Sequence, residues 1–210
     1  KPIETLAKAT GGRAVQTIGR LDKDSEGLLL LTSDMPLINR LLHPGKGVGS
    51  PVEKVYHVRT NRRVPPRILE RLRTSVSIST EDSRNAKAKA RAGGGDDEDS
   101  SRCEKLVPGK VGPSGHHTLP CVVDRLVLGD QRARLRVVLR EGKNRQIRKM
   151  LGGQGYRVVA LTRVGFGPVA LEGLSPGQAK QLTSDEVAAL LKAADATRAQ
   201  RVENGSEMVR

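Results

Sequence analysis

A dense charged loop followed by four consecutive leucines occupies residues 19–34, which read GRLDKDSEGLLLLTSD. Four leucines in a row leave no solvent-facing side in either a strand or a helix, so we expect Leu28 to Leu31 to be buried and to anchor the loop before them. Asp22 then carries a carboxylate to the mouth of a buried element, where functional sites often lie. This stretch therefore predicts a site built around Asp22.

A second charged block lies far along the chain, at residues 141–151, and reads EGKNRQIRKML. From Asn144 to Leu151 the block is predicted to be helical, because its apolar and basic side chains each repeat at helical spacing. The apolar side chains are those of Ile147, Met150 and Leu151, and the basic ones are those of Arg145, Arg148 and Lys149. Basic groups on one helix face converge on a carboxylate or on RNA, although a solvated charged face gives the same pattern.

The two blocks together resemble the pseudouridine synthases, in the branch that modifies ribosomal RNA. In that branch Gly-Arg-Leu-Asp is followed by a short polar link and Gly-Leu-Leu-Leu-Leu-Thr, and residues 19–32 fit without a gap. The later block is similar to the family motif in which an arginine faces the catalytic carboxylate. The resemblance extends from residue 19 to 191 and is interrupted between residues 80 and 119.

The resemblance implies a catalytic set of Asp22, Tyr56 and Arg148. Tyr56 follows Lys54 in the family's Lys-x-Tyr landmark, and its ring is expected to lie against the target base. Arg148 is expected to pair with Asp22, because a buried ionised carboxylate needs a cation beside it. The residues expected to contact RNA are Arg20, Lys54, Asn144, Arg145 and Lys149.

The implied reaction is an isomerisation that converts a specific uridine of ribosomal RNA, in the large subunit, to pseudouridine. It needs no cofactor and no metal. Asp22 serves either as nucleophile at C1′ or as base at C2′, and both remain open. Two other functions fit a basic chain of this kind: a non-catalytic ribosome-assembly factor on the same fold and a general basic RNA chaperone. The expected role is thus in ribosome biogenesis, with ribosomal RNA or a pre-ribosomal particle as partner.

The fold class expected is α+β, with a mixed, largely antiparallel sheet in two lobes around a central catalytic cleft. A helix is predicted from Asp34 and Pro36 to Leu42, and strands over residues 52–60, 121–128, 133–140 and 156–164. The turns expected between them are Gly129-Asp130 and the stretch from Gly165 to Pro168. Thr183 and Glu186 form a capping-box pattern that opens a last helix.

The domain organisation predicted is one catalytic domain over residues 1–194 and a polar tail over residues 195–210. Residues 81–117 are rich in Ser, Gly, Lys and Asp, so they are expected to be a low-complexity insertion outside the core. Many members of the family carry an N-terminal RNA-binding domain of the S4 type, and this chain is expected to lack it.

Composition favours a polyanionic partner. The 210-residue chain has a formal net charge of +14 and a pI near 10.4, which is typical of proteins that bind nucleic acid. Only two tyrosines and one phenylalanine are present, so rows of stacked bases are excluded and recognition must rest on basic groups and shape. No membrane association is expected, because the longest apolar run is the four leucines.

Two metal sites were considered and set aside. Asp22, Asp24, Glu26 and Gly27 mimic the opening of a calcium loop, but its twelfth position is Ser33 rather than a bidentate Glu. The set Cys103, His116, His117 and Cys121 has irregular spacing for zinc. The two cysteines form no Cys-x-x-Cys pair, which indicates a reducing compartment. Residue 1 is Lys rather than Met, which fits either a removed targeting sequence or a truncated chain. The location expected is mitochondrial or plastid, or otherwise the cytoplasm.

Overall fold

The computed structural model describes residues 11–12, 14–42, 52–79, 115–126 and 134–206. The strands are β1 (Gln16–Ile18), β2 (Glu26–Gly27), β3 (Leu30–Thr32), β4 (Lys54–Thr60), β5 (Ser77–Ser79), β6 (Gly115–His117), β7 (Val122–Arg125), β8 (Arg134–Leu139), β9 (Val158–Phe166) and β10 (Val169–Ala170). The helices are α1 (Met35–Leu42), α2 (Pro66–Arg73), α3 (Gln146–Gly152) and α4 (Ser184–Ser206). Among the described residues, no helix is long and apolar enough to span a membrane.

A six-stranded sheet forms the centre of the fold. Its strand order is β10-β9-β4-β8-β7 with antiparallel pairing throughout, and β2 adds to β9 in parallel. Strand β4 is central, so Tyr56 lies opposite Val137 of β8 on one side and Arg163 of β9 on the other. The pairs β1–β3 and β5–β6 form two smaller antiparallel sheets. The α+β class and the largely antiparallel sheet are therefore confirmed.

Two hydrophobic cores share the long strands of this sheet. Because strand side chains alternate between faces, Leu135, Val137 and Leu139 of β8 all point to one side, where α2 and α3 cover them in the first core. The second core gathers β1, the leucine stretch, α1 and the start of α4, and its centre includes Leu41 and Phe166. Each fully buried aliphatic or Phe side chain stabilises the fold by about 1.5–3 kcal/mol. Both cores therefore contribute to the stability of the sheet.

The leucine run is buried on alternate residues rather than throughout. Leu28 and Leu30 are buried in the second core, whereas Leu29 and Leu31 are only half-buried. Only Leu30 and Leu31 belong to β3, and within the described residues that strand pairs with β1 alone. The expectation that all four leucines are buried is therefore wrong, because a strand in a small two-stranded sheet covers only one of its faces.

Two of the three predicted helix starts are confirmed by their caps, and the third helix begins at Gln146 rather than Asn144. The amide of Leu37 donates to the Asp34 carboxylate at 3.1 Å, which caps α1. Thr183 and Glu186 exchange backbone-to-side-chain bonds of 2.8 and 3.2 Å, the two halves of a capping box. Helix α4 then continues to Ser206, past the expected boundary at residue 194. Polar residues of adequate helix propensity extend a helix as well as apolar ones do, so the polar stretch to that point is helical.

The predicted insertion is shorter than residues 81–117. Gly115–His117 forms β6 and pairs with β5, so these three residues belong to a folded strand pair. The rest of the insertion, the turn at Gly129-Asp130 and Cys103 lie outside the described residues. Strand β9 also extends to Phe166, and the turn to β10 is made at Gly167, whose φ is +57°. Among the described residues, no group of three or more His, Cys, Asp and Glu could hold a metal ion.

Candidate active site

The loop that carries Asp22 is attached to β9 through its backbone. The amide of Ser25 donates to the carbonyl of Asp22 at 2.9 Å and closes a turn, and the amide of Leu28 donates to the carbonyl of Arg163 at 2.8 Å. Gly27 has a φ of +109°, and a Cβ there would lie 2.2 Å from the carbonyl oxygen of Arg163. Only glycine fits this close approach, so the loop and β9 meet at a fixed distance.

The Arg163 side chain contacts the backbone on both sides of Asp22, at Arg20 and at Leu28. Its side chain is 1% exposed. Its Nε donates to the carbonyl of Leu28 at 2.7 Å and its Nη1 to the carbonyl of Arg20 at 3.4 Å. The guanidinium also lies 5.7 Å from the ring centroid of Phe166, while Nη2 has no hydrogen-bond partner among the described residues. Burying a charge whose donors are incompletely hydrogen-bonded lowers the stability of the fold. Arg163 is therefore a candidate for a functional role.

Tyr56 lies beside this arginine, because the two residues are cross-strand partners on β4 and β9. Burial raises the pKa of the Tyr56 hydroxyl. The positive charge of Arg163 and a side-chain hydrogen bond with it oppose that shift, and the negative charge of Asp22 adds to it. The phenol therefore stays protonated at neutral pH and can act as a hydrogen-bond donor. The structure thus brings together Asp22 and Tyr56 from the predicted set, with Arg163 as the third member.

Arg148 does not pair with the Asp22 carboxylate. Its Nη2 donates to the carbonyl of Asp24 at 2.5 Å and its Nη1 to the carbonyl of Val158 at 3.2 Å, and no cation lies within 4.0 Å of Asp22 among the described residues. The predicted pairing is therefore wrong in this structure. Helical spacing fixes which face of α3 carries Arg148, but it does not fix which part of the loop that face meets.

Two of the residues predicted to bind RNA have partners within the protein. Arg145 forms an ion pair with the Asp24 carboxylate at 3.1 Å and has a left-handed φ of 50°. Lys54 is 6% exposed, and its Nζ lies 5.6 Å from the ring centroid of Phe166. Burial and the charge of Arg163 lower the pKa of Lys54 to about 8, against the effect of Glu141. Lys54 is thus a buried group of the site rather than a surface contact.

The other three predicted RNA contacts remain available. Arg20 and Asn144 are exposed and Lys149 is half-buried. None of the three side chains has a hydrogen-bond or ion-pair partner in the part of the chain that the structure describes. Arg20 lies just before Asp22 in the chain, Asn144 lies just before α3 and Lys149 lies in α3, so their assignment to RNA binding stays a prediction.

The start of α3 is held by a buried carboxylate. Glu141 accepts hydrogen bonds from the amide of Leu119 at 2.7 Å, from Gln146 Nε2 at 2.6 Å and from Lys143 Nζ at 2.5 Å. Charge-assisted bonds of this kind are the strong ones in proteins. The network fixes the turn before α3, and through it the position of the arginines that contact Asp24.

The sequence reasoning missed Arg163, although a signal was present. In β9 the alternation places Leu161 and Arg163 on the same face, and both are buried. A charged residue at a core position of a predicted strand is a functional-site candidate because its burial is otherwise unfavourable. The rule would have selected Arg163 before the structure was known.

The fold and the site define a class: a basic α+β protein with a carboxylate loop held over a tyrosine and a buried arginine at the centre of an antiparallel sheet. A half-buried carboxylate in this setting can act as nucleophile or base. The sequence profile of the family described as RNA pseudouridylate synthase matches residues 2–152, and this chain belongs to that family.

Similar proteins agree with the assignment. An uncharacterized RNA pseudouridine synthase of Aquifex aeolicus is 31% identical over 193 residues, which are 92% of this chain and 61% of that protein. Ribosomal large subunit pseudouridine synthase B of Bacillus subtilis is 29% identical over 86% of this chain and 59% of its own length. The chain thus spans about three fifths of these relatives.

A crystal structure of a pseudouridylate synthase has the same fold, with a TM-score of 0.61 and 24% identity over 88% of this chain and 61% of that one. At this identity the likeness concerns the fold alone.

Proposed function

We propose that this protein converts a specific uridine of large-subunit ribosomal RNA to pseudouridine, with Asp22 as the reacting carboxylate. The observation that carries the proposal is the placement of Asp22 on a loop that Arg163 holds by the carbonyls of Leu28 and Arg20, close enough to Tyr56 for its negative charge to raise the pKa of the hydroxyl. Membership in the family supports it, and relatives in Bacillus subtilis and Haemophilus influenzae are named ribosomal large subunit pseudouridine synthase B.

The reaction breaks the bond from uracil N1 to ribose C1′ and forms a bond from uracil C5 to C1′. C5 loses a proton and N1 gains one, so atoms and electrons balance without an external reactant. Asp22 either attacks C1′ or removes the C2′ proton, which it returns later in the cycle. Tyr56 packs against the freed uracil and offers a hydrogen bond while the base rotates.

Arg163, rather than Arg148, is the cation assigned to this chemistry. Its charge lies in a water-poor position beside Tyr56, where a preorganised cation interacts more strongly than it would in water. Its Nη2 lies within strict hydrogen-bond distance of no group among the described residues, so it can donate to a carbonyl of the bound uracil or to the carboxylate. Arg148 instead supports the loop from the side, through the carbonyl of Asp24.

The target uridine must leave its stack to reach a half-buried Asp22, which costs a few kcal/mol. Phosphate contacts from Arg20, Asn144 and Lys149 offset part of that cost, since these side chains are free of other partners among the described residues. Phosphate contacts position the RNA, while the fit of the flipped base in the site selects uridine.

We further propose that the protein works in a reducing compartment, either a mitochondrion or plastid or otherwise the cytoplasm. We also propose that it takes part in ribosome biogenesis. The Cys121 thiol is free, and its pKa is raised to about 11 by burial and by the charge of Glu141. Such a thiol is unreactive. A fluorescent fusion of the full-length gene product, imaged against organelle markers, tests the compartment.

The decisive experiment is Asp22→Asn, assayed by single-turnover conversion of transcribed large-subunit ribosomal RNA and by mapping of pseudouridine. We expect conversion to vanish while RNA affinity persists, because the amide is neither nucleophile nor base. Asp24→Asn is the matched control in the same loop, and it should keep conversion within about tenfold, since it loses only an exposed ion pair. Conversion by Asp22→Asn at the wild-type rate would refute the assignment.

A further inference from the structure

The central sheet has a second face, turned away from Tyr56 and the first hydrophobic core. On β4, Tyr56 and Val58 point to the core, so His57 and Arg59 point to the opposite side. On β8, Leu135 and Val137 point to the core, so Arg134 and Arg136 also point outward. The side chains of His57, Arg59, Arg134 and Arg136 are called the outer sheet face.

The strand register places basic side chains directly opposite each other on this face. Arg59 is the cross-strand partner of Arg134, and His57 is the partner of Arg136. Residues so paired lie about 5 Å apart, and residues two apart along a strand about 7 Å. Like charges directly opposite are destabilising, so the fold itself gains nothing from this arrangement. Positive groups at this spacing suit an extended polyanion.

Acidic groups neutralise the outer sheet face only in part: Asp124 is the cross-strand partner of Arg136, and Glu26 pairs with Thr162, the cross-strand partner of His57. Arg59 and Arg134 are exposed and have no acidic partner within 4.0 Å among the described residues. Arg136 approaches Asp124 at 3.8 Å, but Asp124 lies closer to Arg73, at 3.0 Å.

Of the other neighbouring groups, Glu26 accepts a hydrogen bond from Thr162. The pKa of His57 is lowered by burial and by the charges of Arg136 and Arg134, so this side chain adds little positive charge at pH 7. Arg59 and Arg134 remain without an acidic partner among the described residues, and Arg136 shares Asp124 with Arg73.

We propose that the outer sheet face binds the phosphate backbone of RNA, as a second contact surface separate from the catalytic side. The inference rests on the proposed function, because an RNA substrate supplies the polyanion. The ring of Tyr56 lies on the other side of the sheet, Phe166 lies in the second core, and Tyr156 stacks under Arg62 at 4.9 Å. Because this face has no Phe, Tyr or Trp ring for stacking and only the half-buried His57 imidazole, it contacts mainly phosphates and binds without regard to sequence.

The test compares two double variants of equal charge loss. Arg59→Gln with Arg134→Gln removes the unpaired charges of the outer sheet face. Arg67→Gln with Arg71→Gln removes two exposed charges from α2, which packs on the opposite side of the sheet. The affinity of each protein for transcribed large-subunit ribosomal RNA is measured across a series of KCl concentrations, along with single-turnover conversion at saturating protein.

We expect the outer-face variant to lose at least about tenfold in affinity and to reduce the slope of log affinity against log salt by about two, one for each phosphate contact. The α2 variant should keep the wild-type slope. Conversion of bound RNA should be unchanged in both. In the wild-type protein, the NMR signal of His57 should titrate at higher pH when RNA is bound, since phosphate charge raises its pKa.

Equal slopes for the two double variants would overturn the proposal. So would an unchanged His57 titration. Binding of each protein to vesicles containing phosphatidylserine is measured in parallel, and a loss of vesicle binding in the outer-face variant with unchanged RNA affinity would assign the face to a membrane. The proposed function fails separately, if the wild-type protein binds RNA but converts no uridine. The salt slope is measured from binding alone, so a protein that converts no uridine would still allow the outer sheet face to be tested.

Discussion

Replacing Arg163 by lysine should separate its role in the site from that of Arg148. Lysine keeps the buried charge but cannot span the loop, because one ammonium does not reproduce the guanidinium fork. The change removes the 2.7 Å bond to the carbonyl of Leu28, and loss of a charged hydrogen bond costs about 1.5–3 kcal/mol. The bond to Arg20 at 3.4 Å adds little. The free energy of unfolding should therefore fall by that amount.

The effect on rate should exceed the effect on stability. Removing one preorganised electrostatic group lowers turnover by about a hundredfold to a thousandfold, and here the loop that carries Asp22 also loses its support. Arg148→Lys should cost less than about tenfold, because that side chain contacts only the carbonyls of Asp24 and Val158. Arg67→Lys, on an exposed face of α2, is the neutral control.

The assay is single-turnover conversion with enzyme in excess, together with urea denaturation of each variant. The hypothesis drawn from the sequence predicts the reverse order, with Arg148→Lys losing at least about a hundredfold. If Arg163→Lys keeps the wild-type rate while Arg148→Lys loses it, the assignment of Arg163 is refuted. Arg148 is then the catalytic arginine.

Three more changes test other parts of the structure. Gly27→Ala should destabilise the protein by at least about 1–3 kcal/mol and abolish conversion, because its Cβ would meet the backbone of Arg163. Lys54→Met should raise the free energy of unfolding at pH 7 by up to about 3 kcal/mol, because a buried charged ammonium is removed. The pKa of Lys54 is about 8 in the folded protein against the ordinary 10.5, so this gain should shrink as the pH rises between these two values. Replacing residues 80–114 by a short Gly-Ser loop should leave unfolding cooperative, because Ser79 and Gly115 are already cross-strand partners.

Each of the three has a clear contrary result. Gly142→Ala is the control for Gly27→Ala, since a Cβ there meets no atom within 4 Å, and equal melting temperatures of the two variants would contradict the steric argument. Between about pH 8 and pH 10.5 Lys54 is protonated in the unfolded state but largely neutral in the folded state. The free energy of unfolding of the wild type must therefore rise with pH in this range. A constant difference between wild type and Lys54→Met would exclude this linkage. Non-cooperative unfolding of the shortened chain would place residues 80–114 in the core.

The local features of this protein were determined by its sequence. Alternation predicted the inward side of β8, and short-range hydrogen bonding predicted the caps at Asp34 and Thr183, because these patterns depend on neighbours within a few residues. The Asp22 loop and Tyr56 were also found from the sequence, since each stands in a recognisable local motif. The family and the fold class followed from the order of those motifs.

Contacts between distant segments were decided only by the tertiary structure. The sequence placed Arg148 on a basic face of α3, but packing directed that face to Asp24 rather than Asp22. Arg163 became the central cation because β9 pairs with both β2 and β4, a register that no local pattern specifies. The burial of Lys54 and the extent of the leucine core have the same cause: how much of a strand is covered depends on which elements pack against it, and that is settled by the whole chain.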